Sequence, residues 1–181
     1  MKPRLKKTVV LVGMMGAGKT AVGTQLAKIL AVPFRDSDDE IVKAANMSIP
    51  EIFARDGEAF FRQKEAQVLS RLLQGPPGVL STGGGAYLAE SNREAISTHG
   101  IAVWLRADLE VLWQRVRYKS TRPLLQTADP LGTLSALLDA RTPIYSQAEI
   151  VVDSLPHLSI EAMADKVAES LAARPDVLER K

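Results

Sequence analysis

Residues 13–20, GMMGAGKT, match G-x-x-x-x-G-K-[ST] at every fixed position, with Gly13, Gly18, Lys19 and Thr20 in place and an extra glycine at 16. Glycines at this density let successive backbone N–H groups turn inward and form a concave anion site at the positive end of a helix. Lys19 is then expected to reach the β- and γ-phosphates of a bound nucleotide, and the Thr20 hydroxyl to hold Mg²⁺. Gly16 and Ala17 shape this nest, and Ala21 completes the nucleotide-binding stretch. Met14 and Met15 have no polar role and are expected to pack beneath a lid. The β-branched run TVVLV (8–12) precedes the loop and AVGTQLAKILA follows it. The motif therefore stands between the strand and the helix it requires, and the chain is expected to bind a nucleoside triphosphate.

Three further stretches carry reactive or charged groups. If VPFRDSD (32–38) is extended, Asp36 and Asp38 point the same way, because side chains alternate across a strand. VLST (79–82) runs directly into Gly83, Gly84 and Gly85, and three glycines at a strand's end let backbone approach a ligand closely. The stretch from 115 holds Arg115, Arg117, Lys119 and Arg122 with no acid among them, followed by two prolines. Arg141 falls on the helical stripe of Leu134, Leu137 and Leu138, and an arginine on an apolar face needs a partner. His99 and His157 read as surface residues, Trp104 and Trp113 as core.

The elements that would position these groups alternate. Extended runs at 8–12, 32–38, 79–82, 101–105 and 150–153 are separated by helical patterns. The first helix carries Val22, Leu26, Ile29 and Leu30 at helical spacing. Residues 39–74 read as helices without a strand, with a capping box Ser48-x-x-Glu51, a stop at Gly57 and a second apolar stripe of Phe61, Val68, Leu69, Leu72 and Leu73. GPPG (75–78) ends that stretch. Helices follow over 90–98, from Asp108, and over 131–146, the last kinked or divided by Pro143. Ser159 caps a final helix, and the tail RPDVLERK is expected to fray. Alternating strands and helices predict an α/β fold, a five-stranded parallel sheet with helices on both faces. In such a sheet ligands lie beyond the strands' C-terminal ends, which gathers the phosphate loop, Asp36, Asp38 and the glycine triplet along one edge.

Bulk properties narrow the partners. At 181 residues the chain is one domain by size, and 46% hydrophobic with 24% charged residues is ordinary for a soluble protein. A net charge of +2 with only 5% aromatics argues against a dedicated nucleic-acid binder. The absence of cysteine excludes disulfides, thiolate catalysis and cysteine-type zinc sites. MKPRLKK is basic, but the apolar run after it is too short for a secretion signal, and no segment reaches a membrane span. The first residues are read as a disordered basic extension, and the protein as a cytoplasmic monomer.

GMMGAGKT, DSD, GEAFFR, LSTGGG, RPLL and ARTPIY, in that order from about residue 8 to about 170, together resemble the shikimate kinase family. The phosphate loop alone is shared with many enzymes; DSD, TGGG and RPLL in combination are far more specific. The resemblance implies a P-loop fold of the nucleoside-monophosphate-kinase type, one domain over 1–181, with a core (8–35, 75–114, 131–173), a substrate-binding helical segment (36–74) and a mobile lid (115–127). It implies ATP and shikimate as partners, one Mg²⁺, and transfer of the γ-phosphate to the 3-hydroxyl. Position by position it gives Asp38 to the acceptor hydroxyl, Arg62, Arg141 and the backbone of Gly83, Gly84 and Gly85 to the rest of the substrate, Asp36 with Thr20 to Mg²⁺, Arg122 to the phosphates and Arg115 to adenine. Lys19, Asp38 and Arg122 are the catalytic set. Whether Asp38 abstracts the proton or orients the hydroxyl stays open at this point, since a loose transition state needs little base catalysis. The alternatives are a related small-molecule kinase, such as one acting on gluconate, and a nucleotide-binding protein without catalysis.

Overall fold

The apolar run at the start of the chain is buried at every position and forms the central strand of a five-stranded parallel sheet. In the computed structural model, which describes residues 3–117 and 126–179, the strands are β1 (Arg4–Leu5), β2 (Thr8–Val12), β3 (Phe34–Asp36), β4 (Val79–Ser81), β5 (Gly100–Arg106), β6 (Ile150–Asp153) and β7 (Leu178–Glu179). The helices are α1 (Lys19–Leu30), α2 (Ser37–Ala45), α3 (Ile49–Leu73), α4 (Glu90–His99), α5 (Leu109–Val116), α6 (Pro130–Tyr145) and α7 (Ile160–Ala172), with a 3₁₀ turn at Ala86–Leu88. The sheet order is β3-β4-β2-β5-β6. Val9 faces Val79 on one side and Ile101 on the other.

The chain leaves β2 toward β3 and then reverses, so right-handed crossovers put α1 on one face and α3 and α4 on the other. Helix α7 returns to pack on α1, and α3 packs on α4. The reversal opens a crevice beyond the C-terminal end of β2, between β4 and β5, where ligands of such sheets bind. The main core fills both faces of the sheet, and a smaller one, built on Ile41, Ile52, Phe61 and Val68, joins α2 to α3. Among the described residues no helix is long and apolar enough to cross a membrane.

Local chemistry sets the element ends. Ser48 caps α3, its hydroxyl accepting from Glu51 N at 3.3 Å, as the capping box predicts; Ser159 caps α7 in the same way. Gly57, with non-helical φ and ψ, ends the first segment of α3 as expected, and a second helical segment continues beyond the kink.

Several expectations are corrected. Asp36 and Asp38 do not share a strand: β3 stops at Asp36, whose carboxylate caps α2 by accepting from Asp38 N at 2.9 Å and Asp39 N at 3.2 Å. The acidic run Asp38, Asp39, Glu40 thus occupies a helix's first turn, which the macrodipole favours. Pro143 does not divide α6, which continues through it to Tyr145; it falls in the last turn, and the carbonyl it cannot serve belongs to exposed Asp139. Within the described residues the tail is ordered as far as Glu179 and the basic start from Arg4: β7 pairs antiparallel with β1, and Val177 and Leu178 are buried. Met14 and Met15 are buried in the main core, in keeping with their lack of a polar role, while most of the lid they were expected to underlie lies outside the described residues. Trp104 is buried, whereas Trp113 is only partly so.

Candidate functional site

The phosphate loop leaves β2 with positive φ at Gly13 (145°), Gly16 (83°) and Gly18 (96°), values that side-chain-bearing residues rarely adopt. Gly18 is the left-handed N-cap of α1, whose first turn holds no acid. The helix therefore presents unmatched positive potential to an anion. Lys19 Nζ folds back to donate to the carbonyls of Gly13 and Met14, so it lies across the mouth of the loop. Ala17 is buried beneath the loop, and Thr20 and Ala21 open α1 on its exposed side.

Thr20 Oγ1 stands 3.4 Å from Asp36 Oδ2. The other Asp36 oxygen is tied to the α2 amides, which fixes the free oxygen toward the threonine. One carboxylate and one hydroxyl, both hard oxygen donors and close together, suit Mg²⁺, which keeps several waters and is completed by substrate phosphates.

The glycine triplet is held beside the loop because Thr82 donates through both its hydroxyl and its N–H to the Leu11 carbonyl, at 3.0 and 3.3 Å. Each glycine then seats one charged side chain. A Cβ placed on Gly83 would stand 2.7 Å from Asp38 Oδ1; on Gly84, 3.2 Å from Arg141 Nη1; on Gly85, 2.6 Å from Arg62 Nη2. Side chains of ordinary size would displace all three groups. Arg141 reaches the triplet from the buried stripe of α6 and donates to the Gly84 carbonyl at 3.4 Å. Arg62 comes from α3, where its Nη1 donates to Glu65 Oε1 at 3.0 Å.

Burial pushes the Asp38 carboxyl up to about 6, with the charges of Asp36 and Glu65 adding to the effect and Lys19 opposing it. Burial likewise raises Glu65, and the Arg62 guanidinium pulls it back. A carboxylate poised near neutrality beside a cationic lysine, two guanidiniums on neighbouring glycines and an anion nest form a set that can hold a small hydroxy acid against a polyphosphate.

Arg115 lies on the outer flank of the loop. Its Nη1 donates to Gly16 O at 2.9 Å and to Ser154 Oγ at 3.0 Å, and Ser154 Oγ donates to Ala17 O at 3.2 Å. Burial lowers the Arg115 guanidinium from its ordinary value. Arg122 and most of the 115–127 stretch lie outside the described residues. The phosphate loop, Asp36, Asp38 and the glycine triplet follow the C-terminal ends of β2, β3 and β4, and Arg62, Arg115 and Arg141 reach them from α3, α5 and α6.

Sequence reasoning missed Ser37, Glu65, Tyr145 and Ser154. Ser37 Oγ accepts from Gly83 N at 3.2 Å, and Tyr145 donates to Gly84 O at 2.7 Å. Glu65 carried a usable signal, since it follows Arg62 by one helical step on the buried side of α3. Ser154 and Ser37 carried none, because their partners lie far away in sequence.

A family model described as shikimate kinase matches residues 15–172. A shikimate kinase of Ruegeria pomeroyi is 67% identical over 175 residues, covering 97% of this chain and 90% of that protein. One from Cereibacter sphaeroides is 65% identical over 176 residues, covering 97% and 88%. Among solved structures, shikimate kinase from Acinetobacter baumannii in complex with shikimate superposes with a TM-score of 0.86 at 38% identity, covering 92% of this chain and 93% of that one.

Proposed function

The chain belongs to the shikimate kinase family, and from that premise we propose that it transfers the γ-phosphate of ATP to the 3-hydroxyl of shikimate. The observation that carries this reading is the seating of Asp38, Arg141 and Arg62 on three consecutive glycines beside the phosphate loop. Shikimate is a small carboxylate bearing several hydroxyls. Two guanidinium groups match its carboxylate, which leaves the ring hydroxyls directed toward Asp38 and the loop.

In this reading the loop amides and Lys19 hold the β- and γ-phosphates, and Lys19 leaves its resting carbonyls to do so. Asp38 accepts a hydrogen bond from the 3-hydroxyl, aligns its oxygen on the γ-phosphorus and takes the proton as the bond to phosphorus forms. Its raised affinity for a proton suits that role near neutral pH. Arg62 and Arg141 bind the carboxylate, and the exposed backbone of Gly83, Gly84 and Gly85 completes the seat. Arg115, fixed to Gly16 and Ser154, offers its guanidinium face to adenine. Arg122 is assigned to the phosphates, where its guanidinium neutralises the transferring phosphoryl group, and the 36–74 segment serves the acceptor. Thr20 and Asp36 would hold Mg²⁺, which when bound neutralises charge on the phosphates. In this reading the enzyme works as a monomer on ATP and shikimate, with neither nucleic acid nor membrane as a partner. We read it as a cytoplasmic enzyme, where ATP is at hand.

Coupled detection of ADP release, with Mg-ATP and in turn shikimate, gluconate, quinate or no acceptor, tests the assignment. Release that depends on shikimate is expected; acceptor-independent release, or a preference for gluconate, overturns it.

A further inference from the structure

Tyr145 is fully buried near the end of α6. Its ring lies 6.5 Å from that of Tyr87, nearly parallel, and 6.0 Å from that of Trp104. Apolar packing of this kind accounts for an aromatic ring but not for its hydroxyl, which burial makes costly unless it is bonded. The hydroxyl donates to the Gly84 carbonyl at 2.7 Å, a separation typical of a well-formed O–H···O bond. Burial raises the phenol above its ordinary value, so it keeps its proton and remains a donor across the working pH range.

The carbonyl it holds belongs to the middle of the triplet. A trans peptide sends its C=O and the following N–H in opposite directions, and no peptide in the described chain is cis. With the Gly84 oxygen drawn inward onto Tyr145, the Gly85 N–H is turned the other way, out of the core. Glycine has no side chain to hold this plane, and without an anchor the peptide is free to rotate. Arg141 shares the same carbonyl at 3.4 Å. One oxygen thus fixes both the backbone donor and one guanidinium of the substrate seat.

We infer that Tyr145 is a positioning residue for substrate: its hydroxyl locks the Gly84–Gly85 peptide with the N–H facing the cleft, where it donates to the carboxylate held by Arg62 and Arg141. This rests on the carboxylate placement given under Proposed function.

The test is Tyr145→Phe, which keeps the ring and its packing and removes only the donor. Expected is a rise of roughly fivefold to thirtyfold in KM for shikimate, the range for loss of one hydrogen bond, with kcat and KM for ATP within about twofold and Tm within a few degrees. A fall in affinity for ATP equal to that for shikimate, or an unchanged KM for shikimate, overturns the inference. A second measurement needs no variant. In the ¹⁵N-labelled wild-type protein, shikimate is expected to move the Gly85 amide proton downfield, and shikimate methyl ester, which lacks the charge, to move it far less. A Gly85 amide indifferent to shikimate overturns the inference even if the variant does not fold. Wild-type protein that neither phosphorylates nor binds shikimate would instead remove the substrate assignment itself, so the two failures are distinguishable.

Discussion

Asp38 is held where a carboxylate resists ionisation, and that has consequences for both rate and stability. Burial, Asp36 and Glu65 raise its affinity for a proton to about 6 from an ordinary value of 3.8, against the pull of Lys19. The folded state therefore binds the proton more tightly than the unfolded chain. The stability this contributes is complete below about pH 4 and is lost as pH rises through about 6; above that, the ionised group costs about 1–3 kcal/mol. Asp38→Asn is predicted to abolish most of kcat while raising Tm by roughly 2–10 °C at pH 7.5, a gain that shrinks at pH 4.5. In the wild type, kcat/KM for shikimate should fall on the acid side with a midpoint near 6. Calorimetry at the two pH values and a pH–rate profile check this; an acid limb centred below pH 5, or a pH-independent Tm difference, would remove the role given to this carboxylate. At this scale Lys19, Thr20, Asp36 and Asp38 stood out as charged or hydroxylic groups in short patterns and Arg141 as an arginine on an apolar stripe, whereas Arg62 was pointed to only by the family resemblance. The alternation argument for Asp36 and Asp38 failed for a local reason: aspartate after a short strand is also an excellent N-cap, and the chain turned helical at Ser37. The pair still converges on the same edge, by way of a helix's first turn.

The helix that carries Arg62 and Glu65 is shaped by one residue. Gly57 has φ 86° and ψ 171° inside α3, a region open to glycine and to almost nothing else. A Cβ there would meet nothing within 4 Å, so any penalty for a side chain arises in the backbone alone. The bend separates the capped turn after Ser48 from the segment that delivers Arg62 to Gly85. Gly57→Ala is predicted to cost roughly 1–3 kcal/mol if the bend persists. If α3 straightens instead, Arg62 shifts off the triplet and KM for shikimate rises severalfold. In both cases KM for ATP stays within about twofold, because the phosphate loop belongs to β2 and α1. Thermal melts paired with kinetics for both substrates separate the outcomes, and a variant changed chiefly in KM for ATP would contradict this division of labour. Helix positions were readable where periodicity was strong, as in α1 and α7, and β2 from its continuous β-branched apolar run. Pro143 misled because its effect depends on its place within the helix: in the last turn only one outward carbonyl goes unserved.

Across the whole molecule, the reactive groups gather at the C-terminal edge of the sheet while the opposite edge is tied by the short ribbon of β1 and β7. Two-residue strands carry no periodic signal, and the basic and proline-containing sequences around them read as loose ends; only the long-range pairing, with Lys6 N donating to Val177 O at 2.7 Å, identifies them as structure. Leu5, Val177 and Leu178 extend the main core beneath the sheet, and Lys7 and Arg174 both approach Asp176 at the surface. Those exposed ion pairs contribute little, so the buried side chains are the stabilising part. Leu178→Ala is predicted to cost about 2–4 kcal/mol by removing buried methyl groups and leaving a cavity, which corresponds to a fall in Tm of roughly 5–15 °C for a chain of this size. Because β1 enters β2 at the end away from the phosphate loop, kcat and both KM values should stay within about twofold at 20 °C, where the variant remains folded. Denaturant melts and steady-state kinetics on the same preparation decide the matter. Lost stability with intact kinetics is the signature of a scaffold whose two edges are energetically separate, whereas an equal loss of kcat/KM would mean that the ribbon's packing is transmitted through β2 to the loop.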